Sequence, residues 1–365
     1  MPLRLSLSPD ELNCFQHDYA AARSKLKILA EQQPWTDHTE TFPLATTKHN
    51  ESAELATELF WVGPATAENI VVLISATHGI EGYAGAAIQA DFLIRQQRQN
   101  LLPDNTAVII IFALNPYGFS CSRRCDENGI DLNRNFIDFS ASLPINKNYR
   151  LLQNIIFTHD AAQRSQQFNQ LRQQWGQSAF EVAISGGQYH DPSGPFYGGT
   201  KASHGRQVIE HIIERYQLKQ KHLAVIDIHT GLGAYAHGEV INDHPLNSRG
   251  YATARQWYGA SVTAPAAGDS CSVLKQGLLD YAWHPLMQKR GCFVTLEFGT
   301  YSTDNLFAVV IDNHLSWRSA KREAIEKSTE AMKAHFSPSD INWQELVLVK
   351  ARQTIQQAFD GLNYV

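Results

Sequence analysis

Two kinds of hydrophobic run alternate along the chain. The unbroken apolar stretches "NIVVLISA" (69–76), "TAVIIIFAL" (106–114), "LAVIDIH" (223–229) and "CFVTLEF" (292–298) suit strands buried on both faces. Between them, apolar residues recur at helical spacing in 9–33, "EGYAGAAIQADFLIRQQRQ" (81–99), 147–184, 202–220, "SRGYATARQWY" (248–258), which leads toward "ASVTAP", "SVLKQGLLDYAWHPLMQ" (272–288), 304–335 and 341–358. Two further segments, "ETFPLATTKHN" and "LATELFWVGP", read as strands because β-branched and aromatic residues alternate with polar ones between turn signals. The order strand, helix, strand predicts parallel strands joined by right-handed crossovers, hence an α/β domain of three layers. Long irregular stretches, 115–146 and the Gly- and Pro-rich "GGQYHDPSGPFYGG" (186–199), are expected to gather over one edge of the sheet, where open α/β folds place their sites.

Composition adds boundaries to this picture. The 365 residues contain no repeat and no linker-like break, so a single domain is expected over 1–365, with a core at about 50–320 and helical extensions at both ends. Hydrophobic residues make up 43% and charged ones 18%, enough for a sizeable core. Net charge is −5 with Lys and Arg scattered, so no nucleic-acid footprint is visible. No apolar run reaches membrane-spanning length and the N-terminus lacks a signal-peptide core, which places the expected location in the cytoplasm, with no membrane partner. Cys14, Cys121, Cys125, Cys271 and Cys292 are odd in number and irregularly spaced, and are expected to be reduced thiols.

Chemistry enters at the strand ends. In "THGIEG", His78 and Glu81 stand three positions apart just after a buried strand, and an imidazole and a carboxylate there can share one metal ion. The same spacing recurs at His211 and Glu214, but inside an amphipathic helix whose polar positions face water, so that pair is read as a solvated face. A catalytic zinc keeps three protein ligands and an open position; the third candidate is His229, again at a strand end and followed closely by Gly231. Asp227 lies on the same strand face as His229 and can orient its ring or cap a loop. Glu297, at the end of a third apolar strand, is a carboxylate that is costly to bury without a partner and is the candidate base. Within "NPYGFSCSRRCDENGIDLNRNF" (115–136), Asn133 and Arg134 together suit a carboxylate, and Arg123 or Arg124 suits an oxyanion.

Taken in order, the HxxE motif, "NPYGF", the arginine pair, "DLNRNF", the lone His and the late Glu of "LEFGT" resemble the zinc carboxypeptidase superfamily, the relatives of carboxypeptidase A, over about residues 50–320. The wording of "THGIEGYAG", "GQYHDPSGPFYGG" and "DIHTGLG" is most similar to a little-characterised bacterial branch known as a domain of unknown function. The resemblance implies a three-layer α/β/α sandwich with a mostly parallel mixed central sheet, the phosphorylase/hydrolase-like architecture. It implies one zinc ion on His78, Glu81 and His229, with Glu297 as general acid/base. It further implies Asn133 and Arg134 on the substrate carboxylate, Asp131 orienting the first ligand His, and Arg124 or Arg123 at the oxyanion. The mobile tyrosine of the digestive enzymes has no clear counterpart; Tyr235, Tyr258 and Tyr281 are candidates. The expected activity is hydrolysis of an amide bond next to a free carboxylate, on a small peptide. The same superfamily contains amidohydrolases such as aspartoacylase and succinylglutamate desuccinylase, which share these motifs, so an N-acyl amino acid is the alternative substrate. A non-catalytic carboxylate-binding protein is the third reading, and divalent neighbours of zinc remain open as the metal.

Overall fold

The computed structural model describes residues 7–34, 38–46, 54–287 and 291–363. Its centre is one sheet of seven strands: β1 (Thr39–Pro43), β2 (Ala56–Val62), β3 (Asn69–Ile74), β4 (Thr106–Phe112), β5 (His222–Thr230), β6 (Gly238–Ile241) and β7 (Gly291–Phe298). They stand in the order β1-β2-β4-β3-β5-β7-β6. The four continuous apolar runs become the parallel centre β4-β3-β5-β7, while β1, β2 and β6 run antiparallel along the edges. The last four residues of "ETFPLATTKHN" lie outside the described residues.

Burial on both faces explains the unbroken runs. Because side chains alternate, Val71, Leu73, Val108, Ile110, Ala224, Ile226, Val294 and Leu296 enter one core. There they meet the helices Gly82–Gln99 and Ile341–Leu362. Their neighbours Ile70, Val72, Ile109, Ile111, Leu223, Val225 and Phe293 enter a second core under the helix His204–Arg215 and around Trp283. The result is a mixed α/β sandwich of three layers.

Several helices are shorter than their periodicity predicts, each for a local reason. Residues 9–33 split into Pro9–Leu12 and Tyr19–Glu31, with Asp18 capping the second by accepting from the Ala21 N–H. The stretch 147–184 becomes Lys147–Ile156, Ala161–Trp175 and Gln177–Ser185, broken where Asp160 caps a new start and where Gly176 turns at φ 85°. The stretch 304–335 divides at Ala320, whose left-handed φ of 54° ends Thr303–Ser319 before Arg322–Phe336 begins. The segment 272–288 is not a helix within the described residues: only short 3₁₀ turns, Leu279–Ala282 and His284–Leu286, form there. Its backbone bonds run instead to other parts of the chain, Gln276 N–H to Gly186 O and Phe136 N–H to Gly277 O. "ASVTAP" supplies one bridge, Thr263 to Ile241, rather than a strand. None of the five cysteines forms a disulfide. Among the described residues no helix is long and apolar enough to cross a membrane.

Candidate active site

The sheet order makes β3, β5 and β7 neighbours, and their registers pair Ile74 with Asp227 and His229 with Glu297. The three strand ends that carry the candidate chemistry therefore lie side by side. Beyond β3, Ala76 takes a left-handed φ of 58°, which turns the chain out of the sheet before His78. Gly79 follows because a Cβ there would lie 2.1 Å from the backbone of Gly118. That close approach lets the Gly79 and Ile80 N–H groups donate to the carbonyls of Arg124 and Arg123, fastening the HxxE turn to the arginine pair.

His78, Glu81 and His229 are all buried, and one donor atom from each lies within 4.8 Å of the others. Glu81 Oε2 is 2.9 Å from His229 Nδ1 and also accepts the Thr230 N–H. Behind His229, Asp227 Oδ2 stands 2.6 Å from Nε2, while Asp227 Oδ1 accepts from the Thr77 hydroxyl. Behind His78, Asp131 Oδ1 lies 3.2 Å from Nδ1. Asp131 also accepts from Arg124 Nε at 2.9 Å and from the Asn133 N–H. Both second carboxylates that the sequence singled out thus stand directly behind an imidazole.

Of the arginine pair left open by the sequence, Arg124 enters the cleft. Its guanidinium reaches His78 Nε2 at 2.8 Å and Glu81 Oε1 at 3.6 Å, over the ring of Phe196. Arg123 turns away and stacks on Trp317, 4.7 Å from the ring centre, outside the cleft lining. Arg134 is fully buried and donates to the carbonyls of Ser185 and Asn133. Gly187, at φ 103°, leaves room for it, since a Cβ there would lie 2.8 Å from Arg134 Cδ. The Asn133 side-chain oxygen accepts the Leu279 N–H. His78, Glu81, Arg124, Asn133, Arg134, Asp227, His229 and Glu297 line one cleft of about 810 Å³, open solvent at its mouth included.

Burial and charge set the proton affinities. Burial, reinforced by the Glu81 carboxylate, pushes the Glu297 carboxyl up to about 7, against the pull of His229, the Leu232 N–H and Lys275. Burial lowers the His78 imidazole to about 4, with Arg124 adding to the effect. Burial works the same way on His229, yet Asp227 and Glu81 outweigh it and raise that imidazole well above its ordinary value. Burial would raise the Asp131 carboxyl, but Arg124, His78 and Arg134 hold it well below the usual range. A positive charge between Glu81 and Asp227 is therefore favoured by the surroundings.

The donor set fits a divalent metal. Tetrahedral coordination at about 2.0–2.2 Å spaces ligand atoms by roughly 3.4 Å, so donors already within 4.8 Å need only close slightly. His229 and His78 each have a carboxylate behind the ring, Asp227 beside His229 Nε2 and Asp131 beside His78 Nδ1, as metal-bound imidazoles commonly do.

The profile described as "Protein of unknown function (DUF2817)" matches residues 15–350. The chain belongs to this family. The DUF2817 chain matches no curated protein. Among solved structures it is similar to carboxypeptidase A from Helicoverpa armigera, at 15% identity and TM-score 0.48, covering 89% of this chain and 75% of that one. It is similar to bovine thrombin-activatable fibrinolysis inhibitor in complex with tick carboxypeptidase inhibitor, at 13% identity and TM-score 0.45, covering 89% and 98%. It is also similar to murein-tripeptide amidase MpaA from Escherichia coli O157, at 17% identity and TM-score 0.38, covering 85% and 97%.

Three cleft residues escaped the sequence reading. Lys275, Asp243 and Asp280 all line it. Lys275 and Asp280 sat inside the segment expected to be helical, where their direction could not be read; Asp243 follows β6, a four-residue strand too short to register as a pattern. Glu239 of β6 anchors the wall that bears Lys275, accepting from Thr263, Ser270 and the Cys271 N–H. None of the three candidate tyrosines lines the cleft: Tyr258 is buried in the core, and the hydroxyls of Tyr235 and Tyr281 reach Asp340 and the Lys275 carbonyl.

Proposed function

We propose that this DUF2817 protein is a zinc-dependent hydrolase that cleaves an amide bond next to a free carboxylate, in the manner of a metallocarboxypeptidase. The observation that carries the reading is the convergence, in one cleft, of the His78–Glu81–His229 group, an isolated carboxyl on Glu297 and the buried guanidinium of Arg134. His78, Glu81 and His229 would hold the zinc ion, which would supply Lewis acidity to the carbonyl and to a water. Glu297 takes that water's proton and hands it to the leaving nitrogen; its raised proton affinity suits both steps. Arg124 faces the oxygen on which negative charge develops. Arg134 and Asn133 fix the substrate carboxylate so that a chain end, rather than an internal bond, meets Glu297. Asp131 and Asp227 hold the two imidazoles in place.

One feature favours a second reading, removal of an acyl group from an N-acyl amino acid. Glu181, Ser185 and Phe196, from the insert at 140–200, wall the cleft and shorten it toward a small substrate. The deciding experiment uses the zinc-loaded protein against C-terminal peptides and N-acyl amino acids, with products identified by mass and metal measured by elemental analysis. Hydrolysis abolished by chelation and restored by zinc supports the reading. Stoichiometric zinc with no hydrolysis of either class overturns it in favour of a binding protein.

A further inference from the structure

The cleft is polarised in a way the hydrolytic reading does not use. Besides Glu297 and Arg134, its lining includes Ile241, Leu278, Phe293 and Thr295 and two further acids, Asp243 and Asp280. Asp280 is 3% exposed, and its Oδ1 has no hydrogen-bonding partner among the described residues. Its Oδ2 lies 2.9 Å from His284 Nε2 without an aligned hydrogen bond. Asp243 lies two residues past the end of β6. No hydrogen bond or ion pair of its side chain is found among the described residues, although the ammonium of Lys275 is nearby; Lys275 donates instead to the Ser272 hydroxyl and the Val273 carbonyl.

Three other buried carboxylates in or beside this site have several partners each. Asp131 takes Arg124 and the Asn133 N–H, Asp227 takes Thr77 and His229, and Glu239 takes three donors. A buried carboxylate without such partners is costly. Burial and the like charge of Asp280 push the Asp243 carboxyl up to about 6. A cation placed between them relieves both penalties at once.

We infer that Asp243 and Asp280 form a subsite for a cationic group, a primary amine or guanidine, at the far end of the substrate residue whose carboxylate meets Arg134. The apolar side chains of Ile241, Leu278 and Phe293 in the same lining suit an aliphatic stem. The substrate class is thus an amide of a basic amino acid: carboxylate at one end, alkyl chain in the middle, ammonium or guanidinium at the other. This inference rests on the amide-hydrolase reading for its position in the reaction, but its binding test does not depend on turnover.

Isothermal titration of the zinc-loaded protein with free lysine and with norleucine, which has an alkyl stem without the ammonium, reads the subsite directly. Lysine is expected to bind at least tenfold more tightly than norleucine. Asp243→Asn is expected to bring the two within threefold; should that variant fail to fold, Asp280→Asn reads the same difference. Equal affinity of the wild-type protein for the two ligands, or absence of binding by either at millimolar concentration, overturns the inference. Retention of the lysine preference in both variants overturns it as well. Hydrolysis of matched lysine and norleucine amides, followed in parallel, separates the two proposals. A lysine binding preference without turnover of either amide refutes the hydrolase reading and leaves the cation subsite standing. Turnover that favours the norleucine amide does the reverse.

Discussion

Glu297→Gln isolates proton transfer from everything else the cleft does. Glutamine has the volume of glutamate and keeps an oxygen to accept the Leu232 N–H, now bonded to Glu297 Oε1 at 3.0 Å. The site is 7% exposed, so no water shell has to be rebuilt around the amide. The His78, Glu81 and His229 donors are untouched, and metal content should stay at the wild-type value. What disappears is a carboxylate whose affinity for a proton, raised to about 7, lets it accept from water and then donate to nitrogen. Positioned acid–base groups contribute about 10²–10⁴-fold, or roughly 3–5 kcal/mol of barrier, and kcat/KM should fall by that factor while KM changes little. Only the deprotonated acid can start the reaction, so wild-type kcat/KM should decline on the acid side. A dication on Glu81 and the imidazoles favours the carboxylate, which puts that limb at pH 7 or below. Elemental analysis, the melting temperature and steady-state kinetics on one preparation provide the readout. A fully metallated Glu297→Gln protein within tenfold of wild-type kcat/KM would refute the mechanism.

Other perturbations address other parts of the cleft. Asp131→Ala removes the carboxylate behind His78 and the partner of Arg124 Nε, and should weaken metal affinity by about 10–100-fold, as measured by competition with a chromophoric chelator. Arg134→Lys replaces a planar fork bonded to the Ser185 and Asn133 carbonyls by a point charge. It should narrow the ratio of kcat/KM between substrates with a free carboxylate and their carboxamides, and an unchanged ratio would remove Arg134 from carboxylate recognition. Far from the site, burial would raise the Glu11 carboxyl, but Ser8 and Arg352 hold it at about 2 from an ordinary 4.5, tying the N-terminal segment to the helix Ile341–Leu362. A depressed folded-state value means stability that is complete above about 4.5 and lost as pH falls toward 2. Urea titrations at pH 6 and pH 3 should therefore differ less for Glu11→Gln than for the wild type.

The parts of the site that were legible in the sequence share one property. His78, His229 and Glu297 each interrupt or end an apolar run that has no other reason to carry a polar group, and parallel strands buried on both faces make such runs conspicuous. The second HxxE was readable as a decoy on the same logic. In the fold, His211 is half-exposed and its nearest carboxylate is Glu40, 3.5 Å away on the edge strand β1. Choosing between Arg123 and Arg124 was beyond the sequence, because adjacent side chains in a turn diverge according to backbone bonds made to distant residues, here the Gly79 and Ile80 N–H groups. Lys275 and Asp280 were hidden for a related reason. Their segment has helical periodicity, but Gly277 at φ 71° and the long-range bonds to Gly186 and Phe136 impose an extended path. A Cβ at Gly277 would sit 2.3 Å from the Arg134 carbonyl. The glycine therefore reports a close approach to the Asn133–Arg134 segment that no local pattern encodes.

The same register that gathers the site also sets its charge balance. Pairing His229 with Glu297 across β5 and β7 places two carboxyls, Glu81 and Glu297, on either side of one imidazole, and their mutual repulsion contributes to the raised proton affinity of Glu297. A structural ion pair would not require that arrangement, since a hydrophobic pair of similar volume packs at least as well. A dication held there would resolve it by neutralising Glu81 and drawing Glu297 toward its basic form. Asp131 and Asp227 stand behind the two imidazoles, and the cation in contact with the donor atoms themselves is Arg124, paired with Asp131. Arg124 touches both His78 and Glu81 in the present geometry. A metal held by His78, Glu81 and His229 would displace that guanidinium from their donor atoms and leave it free to face a developing oxyanion.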